Sequence, residues 1–132
     1  ADGFGIARFN KRNRKVTFEC WPRFSDVRDG DQAQFAGWPI TIEQEANDGR
    51  KVEGYLPEYV FDDGQDYVVQ VIEETSGEIL YTTRSSNGRF QPKVYSKNRH
   101  TVRFGRSKPD AKSLTNIEPT SRAQAKRISL SL

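Results

Sequence analysis

The chain has 132 residues, with 21 Lys and Arg against 18 Asp and Glu, for a formal net charge of +3. That length suits one domain better than two, and eight Phe, five Tyr and two Trp supply enough apolar area to exclude disorder over the whole chain. A single cysteine, Cys20, excludes an internal disulfide framework and a multi-cysteine zinc site, and no apolar run approaches the roughly 18 residues that a membrane-spanning helix needs.

Period-two alternation recurs along the chain, whereas helical periodicity barely shows. A first strand is expected over 3–9, with Phe4 and Ile6 on one face. The basic loop NKRNRK (10–15) leads into a second strand with Val16, Phe18 and Cys20 inward and Thr17 and Glu19 outward, so the two read as a hairpin. On that pattern Cys20 is a buried thiol. Residues 22–37 are polar, include Gly30 and Gly37, and predict a long loop or a short helical turn. Trp38, Ile40 and Ile42 then alternate along a third strand, stopped by a turn signal at Asp48 and Gly49. A weaker run over 50–56 precedes Pro57, and EYVF (58–61) ends in a DDG turn. The strongest unit is 66–84, where Tyr67, Val69 and Val71 alternate with Val68, Gln70 and Ile72 before a turn at 75–77 and a return through Ile79, Tyr81 and Thr83. An Asn87-Gly88 turn opens the next strand, in which Pro92 argues for an edge or a bulge. RHTVRFG (99–105) is the last clear strand. From Arg106 onward two prolines and few large apolar residues predict a loosely ordered tail, its final ISLSL adding one edge strand at most. Seven to nine short, evenly spaced strands predict an all-β fold, an antiparallel β-sandwich of immunoglobulin/fibronectin-like form. It is expected as a single domain over 1–107 with the tail over 108–132.

Charge is unevenly spread. Residues 51–83 hold one basic side chain against eight acidic, and 84–132 hold twelve basic against two acidic. The simplest expectation is that these segments fold against each other and neutralise across neighbouring strands, with nucleic acid not favoured as a partner. Nor does the sequence offer a reaction centre. His100 is the only histidine and is expected on a strand surface, no Ser or Cys sits in a nucleophile-elbow context, and DGFGIA lacks the lysine of a phosphate loop. Asp26, Asp29 and Asp31, like Asp62, Asp63 and Asp66, do not follow the spacing of a calcium loop and read as solvent turns. No metal or cofactor site is expected. Lys11, Arg12, Arg14 and Lys15 read as a solvated hairpin tip, with a grip on an anionic polymer as the alternative.

Both tryptophans precede proline, which pushes them toward extended geometry at strand ends. Trp38 shares parity with Ile40 and Ile42 and is expected in the core. Trp21 shares parity with Thr17 and Glu19, so it is expected to be exposed unless something else covers it. The candidate interface or ligand contacts are therefore Trp21 with Glu19, Arg23, Arg12 and Arg14, the exposed ring serving either a partner domain or a sugar.

The segments DGFG (2–5), RKVTFECWPR (14–23), GWPITIEQ (37–44), VVQVIEETSGEILYTTR (68–84) and RFQPKVY with HTVRFG resemble the C-terminal part of alkaline-phosphatase-D type (PhoD-like) metallophosphatases, over most of residues 2–105. The resemblance implies an upstream calcineurin-like catalytic domain in an exported bacterial hydrolase, periplasmic or secreted. Residues 1–54 would be the side facing that domain. None of the family's metal-binding Asp, Asn and His motifs occurs in this chain, so no catalytic residue is carried over. The implied role is a non-catalytic accessory domain. The alternatives are a carbohydrate-binding module centred on Trp21 and an anionic-polymer binder using the basic C-terminal third; an enzyme in its own right ranks last. The chain contains no methionine and no secretory leader, so it is expected to be a piece of something longer, with Ala1 not a translation start.

Overall fold

The structure is a computed structural model that describes residues 2–132, apart from the side chain of Glu45; the reading of Ala1 lies outside them. Twelve strands and four short 3₁₀ turns make the described residues all-β. They fall into two compact units, Ala1–Gly49 and Arg50–Leu132, so the single domain expected over 1–107 is divided at Gly49 and Arg50.

In the first unit, β1 (Gly3–Asn10) and β2 (Lys15–Pro22) form the expected hairpin, and β3 (Ile40–Glu43) pairs with the other side of β2, all antiparallel. The hairpin tip closes on its own polar side chains. Asn10 Oδ1 accepts the Arg12 and Asn13 N–H groups at 3.0 and 3.3 Å, and Asn13 Oδ1 accepts the Lys15 N–H at 3.1 Å. β3 reaches only as far as Phe18. Beyond it, the loop before β3 takes over the edge of β2: Gln34 Oε1 accepts the Cys20 N–H at 3.1 Å, and the Phe35 N–H donates to the Cys20 carbonyl at 2.9 Å. A Cβ at Gly3 would lie 2.4 Å from the Trp21 carbonyl oxygen, so glycine is required where β1 meets the end of β2.

The second unit has nine strands: β4 (Gly54–Tyr55), β5 (Glu58–Phe61), β6 (Val68–Glu73), β7 (Ile79–Arg84), β8 (Arg89–Phe90), β9 (Lys93–Val94), β10 (His100–Gly105), β11 (Lys112–Ile117) and β12 (Arg127–Leu130). They make a four-stranded sheet in the order β11-β10-β6-β7, a three-stranded sheet β12-β5-β8, and the pair β4-β9. The β6–β7 hairpin is the one expected, and Asn87 and Gly88 both take the positive φ (56° and 67°) of a tight hairpin turn.

Alternation places Tyr59 and Phe61 of β5 on one inner face, and Val69, Val71, Val102 and Phe104 of β6 and β10 on the other. The two faces meet as a sandwich. Phe104 is the hinge of this core, with the Tyr59 ring 4.9 Å away at 70° and the Phe61 ring 5.9 Å away at 74°, both edge-to-face. Pro92 is buried between the short strands β8 and β9, and its carbonyl accepts the Leu56 N–H at 2.9 Å.

The segment expected as a tail is built into this sandwich. β11 pairs with β10, and β12 adds to β5 in parallel. Only a few apolar residues are needed there, because Leu114, Ile117, Ile128 and Leu130 each point to the inner face and pack on the core. The acidic and basic segments meet where β12 pairs with β5, with Arg127 opposite Glu58 at 2.7 Å.

Phe104→Ala leaves a void between the two sheets. We expect a loss of about 3–5 kcal/mol in the unfolding free energy of the second unit, measured by urea titration of tyrosine fluorescence.

Candidate functional site: an apolar face on the first sheet

Cross-strand partners in an antiparallel sheet share a face. The register therefore sorts the first sheet into two sides. One carries the pairs Phe4–Trp21, Ile6–Glu19 and Arg8–Thr17, with Thr41 opposite Thr17. The other carries Phe9–Val16–Ile42 and Ala7–Phe18–Ile40, a block of apolar side chains two rows deep across three strands, with Gly5 and Cys20 in the next row.

Parity predicted the second side as the interior. The structure reverses this. Glu19 and Trp21 are the buried residues of β2, 8% and 2% exposed, whereas Phe9 is 73%, Phe18 39% and Ile40 45% exposed. Trp38 is exposed as well rather than part of a core. Cys20 is half-buried on the apolar side.

On the charged side, Glu19 is buried and satisfied from two directions. Arg8 grips both of its carboxylate oxygens, one through Nε and one through Nη2 at 3.2 Å, and the Trp21 indole N–H donates to Oε2 at 3.0 Å. The Arg8 hydrogen bond is the main reason the Glu19 carboxyl is held below the usual carboxylate range, with burial acting in the opposite sense. Trp21 was expected to be exposed and to serve a partner or a sugar. It is instead a buried ring whose polar edge is used internally, so it presents no platform to a sugar or a docking domain.

The other candidate residues do not gather round it. Arg23 stands beside Asp2 at 3.4 Å and over the Phe24 ring, 5.3 Å from its centroid. Arg12 and Arg14 are at the hairpin tip, where Arg14 adopts a positive φ and its carbonyl accepts the Gln44 N–H at 2.9 Å. Of the five residues, Glu19 and Trp21 alone form one constellation, and it is structural. What the sequence reading missed as a surface is the block formed by Phe9, Phe18 and Ile40. Its signal was the same alternation that was taken for a core.

In the second unit, the acidic residues at the turns bind their own chain. Asp63 accepts the Gln65 N–H at 2.9 Å and the Tyr67 hydroxyl at 2.7 Å, and Asp66 accepts the Gly88 N–H at 2.9 Å. In the first unit, Asp26 accepts the Arg28 N–H at 2.9 Å. Among the described residues, no group of three or more His, Cys, Asp and Glu side chains is placed to hold a metal ion. His100, expected on a surface, is fully buried on β10 between Glu73 of β6 and Ile117 of β11, and neither ring nitrogen has a hydrogen-bond partner. Burial lowers its pKa, while the nearby Glu73 and Glu74 carboxylates pull the other way.

No family model matches the chain, and neither a curated protein nor a solved structure does. No helix among the described residues is long and apolar enough to cross a membrane.

The buried imidazole sets a pH dependence. Because its folded pKa is lowered, the unfolded chain takes up the proton first, so stability is fully present above the unfolded pKa of about 6.5 and declines as pH falls below it. Glu73 and Glu74 also have lowered pKa values, and their contribution is lost only at more acidic pH. The melting temperature should therefore fall between pH 7 and about pH 5, and His100→Leu should flatten that part of the profile in a calorimetric pH series.

Proposed function

We propose that this chain is a non-catalytic accessory domain of an exported metallophosphatase-like hydrolase of alkaline-phosphatase-D type, and that the apolar face of its first sheet is the surface that meets the catalytic domain. One observation carries this reading: the two-row block of Phe9, Val16, Ile42, Ala7, Phe18 and Ile40 lies on one face, with Phe9, Phe18 and Ile40 open to solvent. A contiguous apolar sheet face of this kind marks a surface intended for a partner. Three of the sequence segments that resemble the metallophosphatases fall on β1, β2 and β3, so the resemblance and the open face coincide. An exported, periplasmic or secreted setting belongs to the same reading.

The face differs from the one the sequence suggested. Residues 1–54 remain the side that meets the catalytic domain, but the contact runs through the phenylalanines and isoleucines in place of Trp21. The anionic-polymer alternative gains little, since Arg99, Arg127 and Lys108 of the basic third are engaged by Glu118, Glu58 and Asp110.

The test has two arms. The double variant Phe9→Ser/Phe18→Ser should keep the β-sheet circular dichroism of the wild type. Its affinity for a separately produced catalytic domain of an alkaline-phosphatase-D type enzyme should fall by roughly tenfold or more, as expected for loss of two apolar anchors. Phosphomonoesterase and phosphodiesterase assays with added divalent metal should give turnover from the catalytic domain alone. Turnover by the isolated chain, or unchanged affinity in the double variant, would count against the proposal.

A further inference from the structure

β1 ends its sheet, and no strand among the described residues pairs with its outer side. Three hydrogen bonds set the phase of its backbone. The Arg23 N–H donates to the Asp2 carbonyl at 3.1 Å, one step beyond the Gly3–Pro22 pair. Alternate pairs of an antiparallel ladder exchange bonds, so Phe4, Ile6, Arg8 and Asn10 turn their peptide groups toward β2. On the far side of β2, the Cys20 and Arg14 carbonyls accept the Phe35 and Gln44 N–H groups, each at 2.9 Å, which requires the same phase. Gly3, Gly5, Ala7 and Phe9 therefore direct their N–H and C=O groups away from the sheet, and all four residues are exposed. A straight, unbulged edge of this kind is a template for another strand.

The strand that best fits this template is β1 itself. Two copies running antiparallel about a two-fold axis at Ile6 pair all four outward residues at once, Gly3 with Phe9 and Gly5 with Ala7 of the second copy. A shift of two residues either way leaves Phe9 or Gly3 without a strand partner. In the centred register the bulkiest side chain of the strand's apolar side meets the smallest. A Cβ at Gly5 would meet only the Glu19 carbonyl oxygen, at 3.5 Å, so that side of Gly5 is open. A Cβ at Gly3 would lie 2.8 Å from Cε2 of Phe35, so an aromatic ring already stands beside Gly3. The incoming Phe9 thus finds a bare glycine row bounded by a ring, and a cross-strand aromatic is what compensates glycine at a sheet edge. Charge fits too. Arg8, the only charged residue of the strand, falls opposite Phe4 and never opposite its own copy.

We infer that the outer edge of β1 is a homodimer interface, at which a second copy of this chain pairs antiparallel about Ile6 and joins two three-stranded sheets into one. The contact is isologous and so closes on itself instead of propagating. Its two apolar blocks lie on the same side of the joined sheet, with Phe18 and Ile40 of each copy still open. The pairing is made by backbone at the edge and does not depend on the identity of the parent hydrolase.

Sedimentation velocity of the full chain across a dilution series should show a reversible monomer–dimer equilibrium. Ala7→Pro removes an outward N–H and keeps every bond to β2, a change that edge strands tolerate. It should raise the dimer dissociation constant by roughly tenfold or more, since symmetry counts the loss twice, and leave the β-sheet circular dichroism intact. In a Cys20→Ser background, Ile6→Cys should form an intermolecular disulfide on mild oxidation, because position 6 meets its own copy across a non-hydrogen-bonded pair. Phe4→Cys should not, its partner being position 8. The crosslink reads the register even where Ala7→Pro fails to fold. A monomer at every concentration, an unchanged dimer in folded Ala7→Pro, or equal crosslinking at positions 4 and 6 would overturn the inference. So would a dimer kept in Ala7→Pro and lost in Phe18→Ser, which would be stacked through the apolar faces.

Discussion

Glu19 holds a carboxylate where little of its surface meets water, a placement that is unfavourable unless the charge is paired and hydrogen-bonded. Arg8 supplies the pairing from β1, and the Trp21 indole supplies a donor from two residues further along β2. Both lie on the same side as Glu19 because a strand returns to one face every second residue. With those groups on one side, register places Val16, Phe18 and Cys20 on the other. A strand cannot bury Glu19 and Trp21 and also bury Val16, Phe18 and Cys20 against the same neighbour. The open apolar face is the side of β2 opposite Glu19 and Trp21, and the proposed docking surface rests on it.

The second unit solves the more ordinary problem of joining two sheets, through aromatic rings at right angles. Phe104 lies against both Tyr59 and Phe61 of the facing sheet, and Phe61 in turn lies 4.7 Å from Tyr67. These rings fill the middle of the sandwich and leave less for its margin. Toward β11 and β12 the inner residues are aliphatic, Leu114, Ile117, Ile128 and Leu130, and a cleft remains beside the two edge strands. Tyr59 belongs to both, with its ring in the packed centre and its residue in the cleft wall.

Much of the architecture was legible from alternation. The β1–β2 hairpin, the β6–β7 hairpin, the Asn87-Gly88 turn and β10 are where period-two patterning and turn residues placed them. What alternation does not carry is the sign of a face. The series Val16, Phe18, Cys20 states that three side chains share a side, and their hydrophobicity was then taken to mean inward. Glu19 was counted as outward because it is charged, yet its partner Arg8 is eleven positions away and becomes visible only when the register is known. His100 was misjudged for a related reason: the residues that cover it, on β6 and β11, are distant in sequence. The segment after Arg106 looked too polar to order itself. It is ordered because β10 and β5 offer it paired backbone, which a short strand needs more than it needs apolar bulk.

β1 sharpens the argument for a covered first sheet. It is eight residues long, stands at the edge of its sheet, and has Arg8 as its only charged residue, already committed to Glu19. Natural edge strands of that length are usually blunted by lysine, proline or a bulge, and the β1–β2 register runs without a bulge from Gly3 to Asn10. The same strand contributes Phe9 and Ala7 to the open apolar block. An unguarded edge and an unguarded face on one strand are tolerable where another surface occupies them, and hazardous where none does. The two features have separate physical origins, one in backbone hydrogen bonding and one in side-chain chemistry. Their coincidence on β1 is what the proposed docking surfaces would cover.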